Sequence, residues 1–455
     1  MTSELIISVS GLRGIVGDSL TPEVARRYTA AFADTLSEGP VLVTRDGRAN
    51  GEQLLPPIRT GLSQGGARAV YDAGIAATPT AGVLVRTHRC AGGVQISASH
   101  NPAEYNGIKL FSAAGRVVPA SAGQEVHELF LKGGELRAEG GGRNVATPIT
   151  DSVSHHLALI ERIVDFERIR ARHFRVVLDA NHGSGSVLGK PQLERLGCDV
   201  VLLGGEPDGQ FAHPPEPTAD SLASVLAEVT RAGADVGFCQ DPDADRLAII
   251  DENGRYLGEE HTLALCVDHV LCHSPGPVVT NCSTSRMTED LARKYGVPFF
   301  RSAVGEANVV DEMLKRDAVL GGEGNGGVID PRVGLVRDSF VAMALVLAAM
   351  AERDLPVSEL ADELPRYAIH KTKFEVAREI VPKALAALEQ HFHDAQSDRL
   401  DGLRLDWQHP SGKGSWLLVR ESNTEPIVRI IAEAPTADET RRLCDEAGKL
   451  IGACS

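Results

Sequence analysis

Short apolar runs recur along the chain, each ending at a polar or glycine-rich loop and leading into an amphipathic stretch. They are "VLVTRDGR" (41–48), "GGVQISASHNP" (92–102), "RVVLDANHGSG" (175–185), "DVVLLGGEPDG" (199–209), "VVTNCSTSR" (278–286) and "AVLGGEGNGG" (318–327). Brief apolar runs bounded by turn residues read as buried strands. Thr21-Pro22 opens a helix, with a side-chain cap followed by a proline at the first turn. The stretches 221–232, 285–295 and 338–352 carry apolar residues at helical spacing. Strands alternating with helices predict α/β layers. The C-terminal part differs: it reads as a strand–turn–strand over 416–434 and a closing helix from Ala437, a small α+β unit.

Polar, glycine-rich stretches at 131–148, 251–262 and 363–376 suggest the divisions. The expected domains are 1–145, 146–254 and 255–368, all α/β, and 369–455, α+β. Length alone suggests about three domains, at roughly 150 residues each. The run Phe340–Ala351 is apolar throughout but too short to span a bilayer, which takes about 20 residues. It reads as a buried helix.

The 46 basic residues stand against 62 acidic ones, a net charge of −16. That balance argues against a general nucleic-acid or anionic-membrane surface. An anionic substrate then needs its cations gathered locally. Eight cysteines are scattered without a C-x-x-C pair, which disfavours zinc clusters and redox pairs and suits a reducing cytoplasm. The N-terminus lacks the basic and apolar regions of a signal peptide.

Four loops carry chemistry. The first is Ser97-Ala98-Ser99-His100-Asn101-Pro102, after the apolar run at Val94 and Ile96. Its bland reading is a hydrogen-bonded turn; its functional reading is a nucleophile or phosphate carrier at a strand end, where open α/β sheets bind ligands. No G-x-S-x-G elbow surrounds Ser99, which disfavours a hydrolase triad. The second is "DPDADR" (241–246). In an extended segment Asp241, Asp243 and Asp245 face one way, and their mutual repulsion calls for a hard cation such as Mg²⁺ or Mn²⁺. An EF-hand fails, because its sixth position holds Arg246 rather than glycine. The third is "GGEGNGG" (321–327), where Glu323 can accept two hydrogen bonds from neighbouring hydroxyls. The fourth is "RESNTEP" (420–426), where Arg420, Ser422, Asn423 and Thr424 cluster donors suited to a phosphate dianion. A plain hairpin turn competes with that reading. Near the start, Arg13 lies between glycines.

In this order the loops resemble those of the α-D-phosphohexomutases, the family of phosphoglucomutase, phosphomannomutase and phosphoglucosamine mutase, over essentially the full length. The resemblance implies three similar α/β domains plus a small C-terminal α+β domain around a central cleft. It implies a phosphoryl group carried on Ser99 and Mg²⁺ bound by that group with Asp241, Asp243 and Asp245. Arg13 and Arg246 would lie near the phosphoserine. His100 and Lys109 match positions placed for proton transfer and charge neutralisation. Glu323, with Asn325 in the same loop, would hold the sugar, and Arg420, Ser422, Asn423 and Thr424 the phosphate that does not react. The implied activity is interconversion of hexose 1-phosphate and hexose 6-phosphate through a sugar bisphosphate, with a sugar 1,6-bisphosphate as activator, in a cytoplasmic monomer or homodimer. One departure stands out: many members carry Ser-Gly-His after the sugar-loop glutamate, and here the run is Gly324-Asn325-Gly326-Gly327. The loop Ser-Asn-Thr at 422–424 favours the phosphomannomutase/phosphoglucomutase type, with phosphoglucosamine mutase as the alternative and a sugar-phosphate phosphatase as a more distant one.

Overall fold

The computed structural model describes residues 5–8, 10–63, 68–133, 146–408, 414–422 and 427–454. One four-stranded pattern occurs three times. The strands are Val41–Arg45, Val70–Ile75, Gly92–Ile96 and Tyr105–Ser112 in the first unit; Arg175–Asp179, Asp199–Leu203, Val236–Gln240 and Leu247–Asp251 in the second; Val278–Asn281, Phe299–Ser302, Leu320–Glu323 and Gly327–Ile329 in the third. In every unit the first strand pairs parallel with the second and third, and the fourth runs antiparallel to the third. The first unit is widened to seven strands by Ile6–Ser8 and Gly11–Ile15 on one side and Thr147–Pro148 on the other.

The antiparallel return has a functional consequence. The chain must reverse between the third and fourth strands, at the carboxyl end of a buried strand. Those three reversals are Ser97–Glu104, Asp241–Arg246 and Gly324–Gly326. The serine, aspartate and glutamate loops therefore occupy the same topological position in three copies of one unit.

The C-terminal sheet is antiparallel, in the order Ala368–Glu375, Ile427–Ala434, Ser415–Glu421, Leu403–Trp407, Gln396–Asp398. Helices Val381–His391 and Ala437–Gly452 supply its core with Leu385, Leu388, Leu443 and Ile451. This is the expected α+β unit, but the stretch 363–376, read as a division, is largely its first strand.

The apolar run at 340–351 forms the helix Ser339–Arg353, buried from Ser339 to Ala351. Asp338 caps it, accepting from the backbone N–H groups of Phe340 and Val341. The same carboxylate meets His156 Nε2 at 2.7 Å, and His156 Nδ1 meets Thr80 Oγ1 at 2.9 Å. A buried polar chain thus ties the first unit to the third. Thr21 accepts from Val24 N and opens the helix Pro22–Thr35, as its sequence directs. No helix among the described residues is long and apolar enough to cross a membrane. The cysteines are unpaired.

Candidate active site

Ser99 sits just beyond the buried strand Gly92–Ile96, with φ 51°. Residues other than glycine rarely adopt this left-handed backbone, and it persists only where the surroundings over-determine it. Here the surroundings are Arg48 and Ser97. The Arg48 guanidinium is buried and donates to the carbonyls of Ser99, Asn101 and Pro102, each at 2.6 Å, and of Tyr105 at 3.1 Å. Asp46 pairs with Arg48 Nε at 3.1 Å and accepts from Ser97 Oγ at 2.7 Å. Ser97 Oγ accepts from Ser99 N at 2.9 Å.

The hydroxyl so placed donates to Asp241 Oδ2 at 2.8 Å. Asp241 Oδ1 accepts from the backbone N–H groups of Asp245 and Arg246, both at 3.1 Å. All three aspartates are fully buried, and their oxygens lie within 4.8 Å of one another. Lys109 Nζ contacts Asp243 and lies 3.1 Å from Asp245 Oδ2. Thr78 Oγ1 donates to Asp243 and Arg337 Nη2 to Asp245, the latter at 2.6 Å. Burial and the charges of Asp245 and Asp243 push the Asp241 carboxyl well up. Burial also pushes Asp243 and Asp245 up, but Lys109 and the Thr78 hydroxyl together outweigh it at Asp243, and Arg337, Lys109 and Arg246 together outweigh it at Asp245, so both are held below the usual carboxylate range.

Asp243 Oδ1 and Asp245 Oδ1 are buried without a hydrogen-bond partner. Buried polar oxygens are rarely left so. Two orphaned carboxylate oxygens beside a third carboxylate are a donor set for a hard divalent cation, so the residues fit Mg²⁺.

His100 Nδ1 lies 3.4 Å from Ser99 Oγ. Burial, with the cations Arg246 and Arg13 nearby, brings its pKa down to about 2, so the ring is neutral. Arg13 Nη1 donates to Asn101 Oδ1 at 3.1 Å. Arg246 faces Glu216 at 3.5 Å and Asp245 at 3.8 Å.

A cleft of about 560 Å³ opens in front of these groups. Arg13, His100, Lys109, Arg246, Glu323, Asn325 and Arg420 all border it. Glu323 Oε1 accepts from Asn281 Nδ2 at 2.7 Å and from Gly305 N at 3.1 Å. The glutamate and aspartate loops are joined directly, Leu247 N donating to Gly326 O at 3.1 Å. Arg420 is oriented by Asp401, Nε to Oδ2 at 3.1 Å. Ser422 follows the strand that carries Arg420, and its N–H bonds Ile427 O at 2.9 Å. Asn423 and Thr424 lie outside the described residues.

The structure adds residues that the sequence reading does not single out. Arg48 and Thr78 support the serine and aspartate loops, while Arg337, Glu306, Lys371 and Arg429 border the cleft. Arg429 stands opposite Arg420 in the C-terminal sheet. The cleft is lined by seven arginines and lysines against four glutamates, a local excess of cations in a chain of net charge −16. No local signal marks these cations in the sequence, because arginine and lysine are common and their convergence is not local.

Four domains of one known family match the chain in order. Residues 5–137, 154–254 and 259–367 match the alpha/beta/alpha domains I, II and III of phosphoglucomutase/phosphomannomutase, and 372–449 matches the C-terminal domain of that family. A phosphoglucomutase/phosphomannomutase of Thermococcus kodakarensis is 37% identical over 97% of both chains. A probable phosphoglucosamine mutase of Methanopyrus kandleri is 32% identical over 98% of this chain and 97% of that one. A crystal structure of a phosphoglucomutase/phosphomannomutase family protein from Burkholderia thailandensis shares the fold at 24% identity, with a TM-score of 0.82 over 99% of this chain and 98% of that one. Four consecutive domain matches and full-length relatives place the chain in the phosphoglucomutase/phosphomannomutase family, and it is an enzyme of the phosphohexomutase class, an intramolecular phosphotransferase.

Proposed function

We propose that the protein interconverts hexose 1-phosphate and hexose 6-phosphate by way of a phosphorylated Ser99, with glucose and mannose phosphates as substrates. The observation that carries this reading is the buried Ser99 hydroxyl, 2.8 Å from a carboxylate of the aspartate loop, with the adjacent His100 bordering a cation-rich cleft. Phosphoserine donates its phosphoryl group to the free hydroxyl of a sugar monophosphate. The bond from phosphorus to Ser99 Oγ breaks, a bond to the sugar oxygen forms, and the proton of the sugar hydroxyl ends on the departing Ser99 oxygen, beside the neutral His100 ring. The resulting bisphosphate turns over in the cleft. Its other phosphoryl group then returns to Ser99, releasing the isomeric monophosphate. A sugar 1,6-bisphosphate phosphorylates the free serine by the same step and so acts as activator.

Each phosphate carries about −1.5 to −2 charges near neutral pH. The intermediate carries roughly −3 to −4 by the same count. Transfer of this kind rests mainly on positioning and electrostatic stabilisation. Arg13, Lys109 and Arg246 neutralise the reacting phosphoryl group. Arg420 holds the other phosphate, with Ser422 and the neighbouring Asn423 and Thr424. Glu323 accepts sugar hydroxyls and Asn325 borders them. Asp241, Asp243 and Asp245, with the phosphoserine, would hold Mg²⁺. When bound, that ion supplies charge neutralisation at the transferring phosphoryl oxygens.

A second reading, phosphoglucosamine mutase, is favoured by the name of the Methanopyrus relative. Coupled assays of glucose, mannose and glucosamine 1-phosphates, side by side with a bisphosphate activator, separate the two. Greater turnover of the glucosamine ester would replace the first reading. Release of inorganic phosphate without isomer would replace both with a phosphatase.

A further inference from the structure

Arg337 is held in an unusual way. Its Nη1 donates to Glu323 Oε2 at 2.5 Å and its Nη2 to Asp245 Oδ2 at 2.6 Å. Its Nε lies 3.2 Å from Glu306 Oε2, and its backbone N–H bonds the same glutamate. One guanidinium thus joins the aspartate loop, the glutamate loop and the start of the helix Glu306–Arg316. Its backbone is anchored too. The next residue, Asp338, caps the buried helix Ser339–Arg353 and bonds His156.

Gly327 bears on the same side chain. It is absent from the residues with positive φ, so its backbone does not demand glycine. The demand is for space. A β-carbon at 327 would stand 2.2 Å from Cδ and 2.8 Å from Cγ of Arg337. An arginine pinned by three carboxylates cannot swing aside without breaking those pairs.

We propose that Arg337 is a positioning residue that fixes Glu323 and Asp245 in one geometry, so governing how strictly the cleft reads the sugar hydroxyls, and that Gly327 is glycine to leave it room. The first half rests on the reading of Glu323 as the sugar acceptor. Glu323 has one oxygen held by Asn281 and Gly305 and the other by Arg337. Losing Arg337 frees one side of that carboxylate, and hydroxyls at different ring positions then compete for it on altered terms. Lysine offers one ammonium and cannot span three carboxylates with fixed geometry.

The test measures kcat and KM for glucose 1-phosphate and mannose 1-phosphate in the wild type, Arg337→Lys and Arg337→Gln. The loss of charge-assisted hydrogen bonds predicts a ten- to hundredfold fall in kcat/KM. The ratio between the two sugars should shift by about fivefold or more, a change that a merely structural role would not produce. A wild-type ratio and wild-type KM in Arg337→Lys would overturn the positioning role. A thermal-unfolding cycle decides the spatial half without any assay. Gly327→Ala should lower Tm in the wild type and lower it much less in the Arg337→Ala background, which lacks Cγ and Cδ. Equal losses in both backgrounds would overturn the pairing. If the wild type isomerises no hexose phosphate, the proposed function fails, while the Tm cycle still decides whether 327 and 337 are coupled.

Discussion

Ser99 Oγ donates to Asp241 Oδ2 at 2.8 Å, across 142 residues of chain. The bond joins the reversal of the first α/β unit to the reversal of the second. It leaves the hydroxyl fixed against the aspartate loop. The expected consequence is that part of the purified protein carries phosphate on Ser99, visible by intact and peptide mass spectrometry. Ser99→Ala should lose both the phosphate and turnover; wild-type turnover in that variant would remove the carrier role.

Arg48 sustains the backbone on which that serine sits. Its pair with Asp46 is buried, and it satisfies four loop carbonyls. Removing one member of a buried pair costs about 3–5 kcal/mol, because the other charge is left uncompensated. Arg48→Ala should therefore lower the urea midpoint sharply and reduce Ser99 phosphorylation in the fraction that folds. An unchanged midpoint would show that the loop holds its shape without the guanidinium.

Magnesium dependence should be strict. Excess EDTA should abolish turnover, and Asp243→Ala should nearly abolish it even with Mg²⁺ present. Repulsion among the aspartates alone predicts that Asp243→Ala leaves the metal-free protein as stable as before. The contacts of Asp243 with Lys109 and Thr78 predict instead a lower Tm. Saturating Mg²⁺ should raise the wild-type Tm, by the equivalent of about 2.7 kcal/mol at a hundred times Kd. That increment should vanish in the variant. Full activity in EDTA would refute the assignment of the metal.

Arg420 is already oriented toward the cleft by Asp401. A charge-assisted hydrogen bond is worth about 1.5–3 kcal/mol. Arg420→Ala should raise KM, lower kcat and increase dependence on added bisphosphate, a combined loss of about ten- to a hundredfold. Phosphorylation of Ser99 should persist, since Arg420 makes no contact with it among the described residues. Unchanged kinetics for glucose and mannose 1-phosphates would mean that the turn is only a hairpin.

Glu260 should make the stability of the protein depend on pH. It is buried, one oxygen accepts from Ser285 N at 3.0 Å, and the other has no partner. Burial, opposed by Lys371 and reinforced by Glu433 and Glu259, lifts its pKa to about 8. In the unfolded chain a glutamate titrates near 4.3. Between those values the folded state holds a proton that the unfolded state has released, so stability falls as pH rises. The contribution is fully present below about 4.3 and is lost as pH rises toward 8. Glu260→Gln mimics the protonated form and should show a flatter Tm profile from pH 5 to 9. Parallel profiles for the two proteins would count against this.

The sequence by itself determined the parts whose signal is local. Val94 and Ile96 mark a buried strand, and the residues after them mark its reversal. Thr21-Pro22 and Asp338 cap their helices within a single turn. The apolar stretch from Phe340 to Ala351 had to bury itself. The chemistry of each loop was also legible, because a hydroxyl, three alternating carboxylates and a glutamate among glycines each lie within a few consecutive residues. Tertiary structure decided which of them meet. Three copies of one strand order bring the reversals at 97–104, 241–246 and 324–326 to one cleft, so Ser99 reaches Asp241 and Leu247 reaches Gly326. It also selected Arg48, Arg337, Lys371 and Arg429 from 46 basic residues that look alike along the chain. A cation acquires its role from the carboxylates, carbonyls or open cleft it faces, and those neighbours are set by packing between units rather than by adjacent residues.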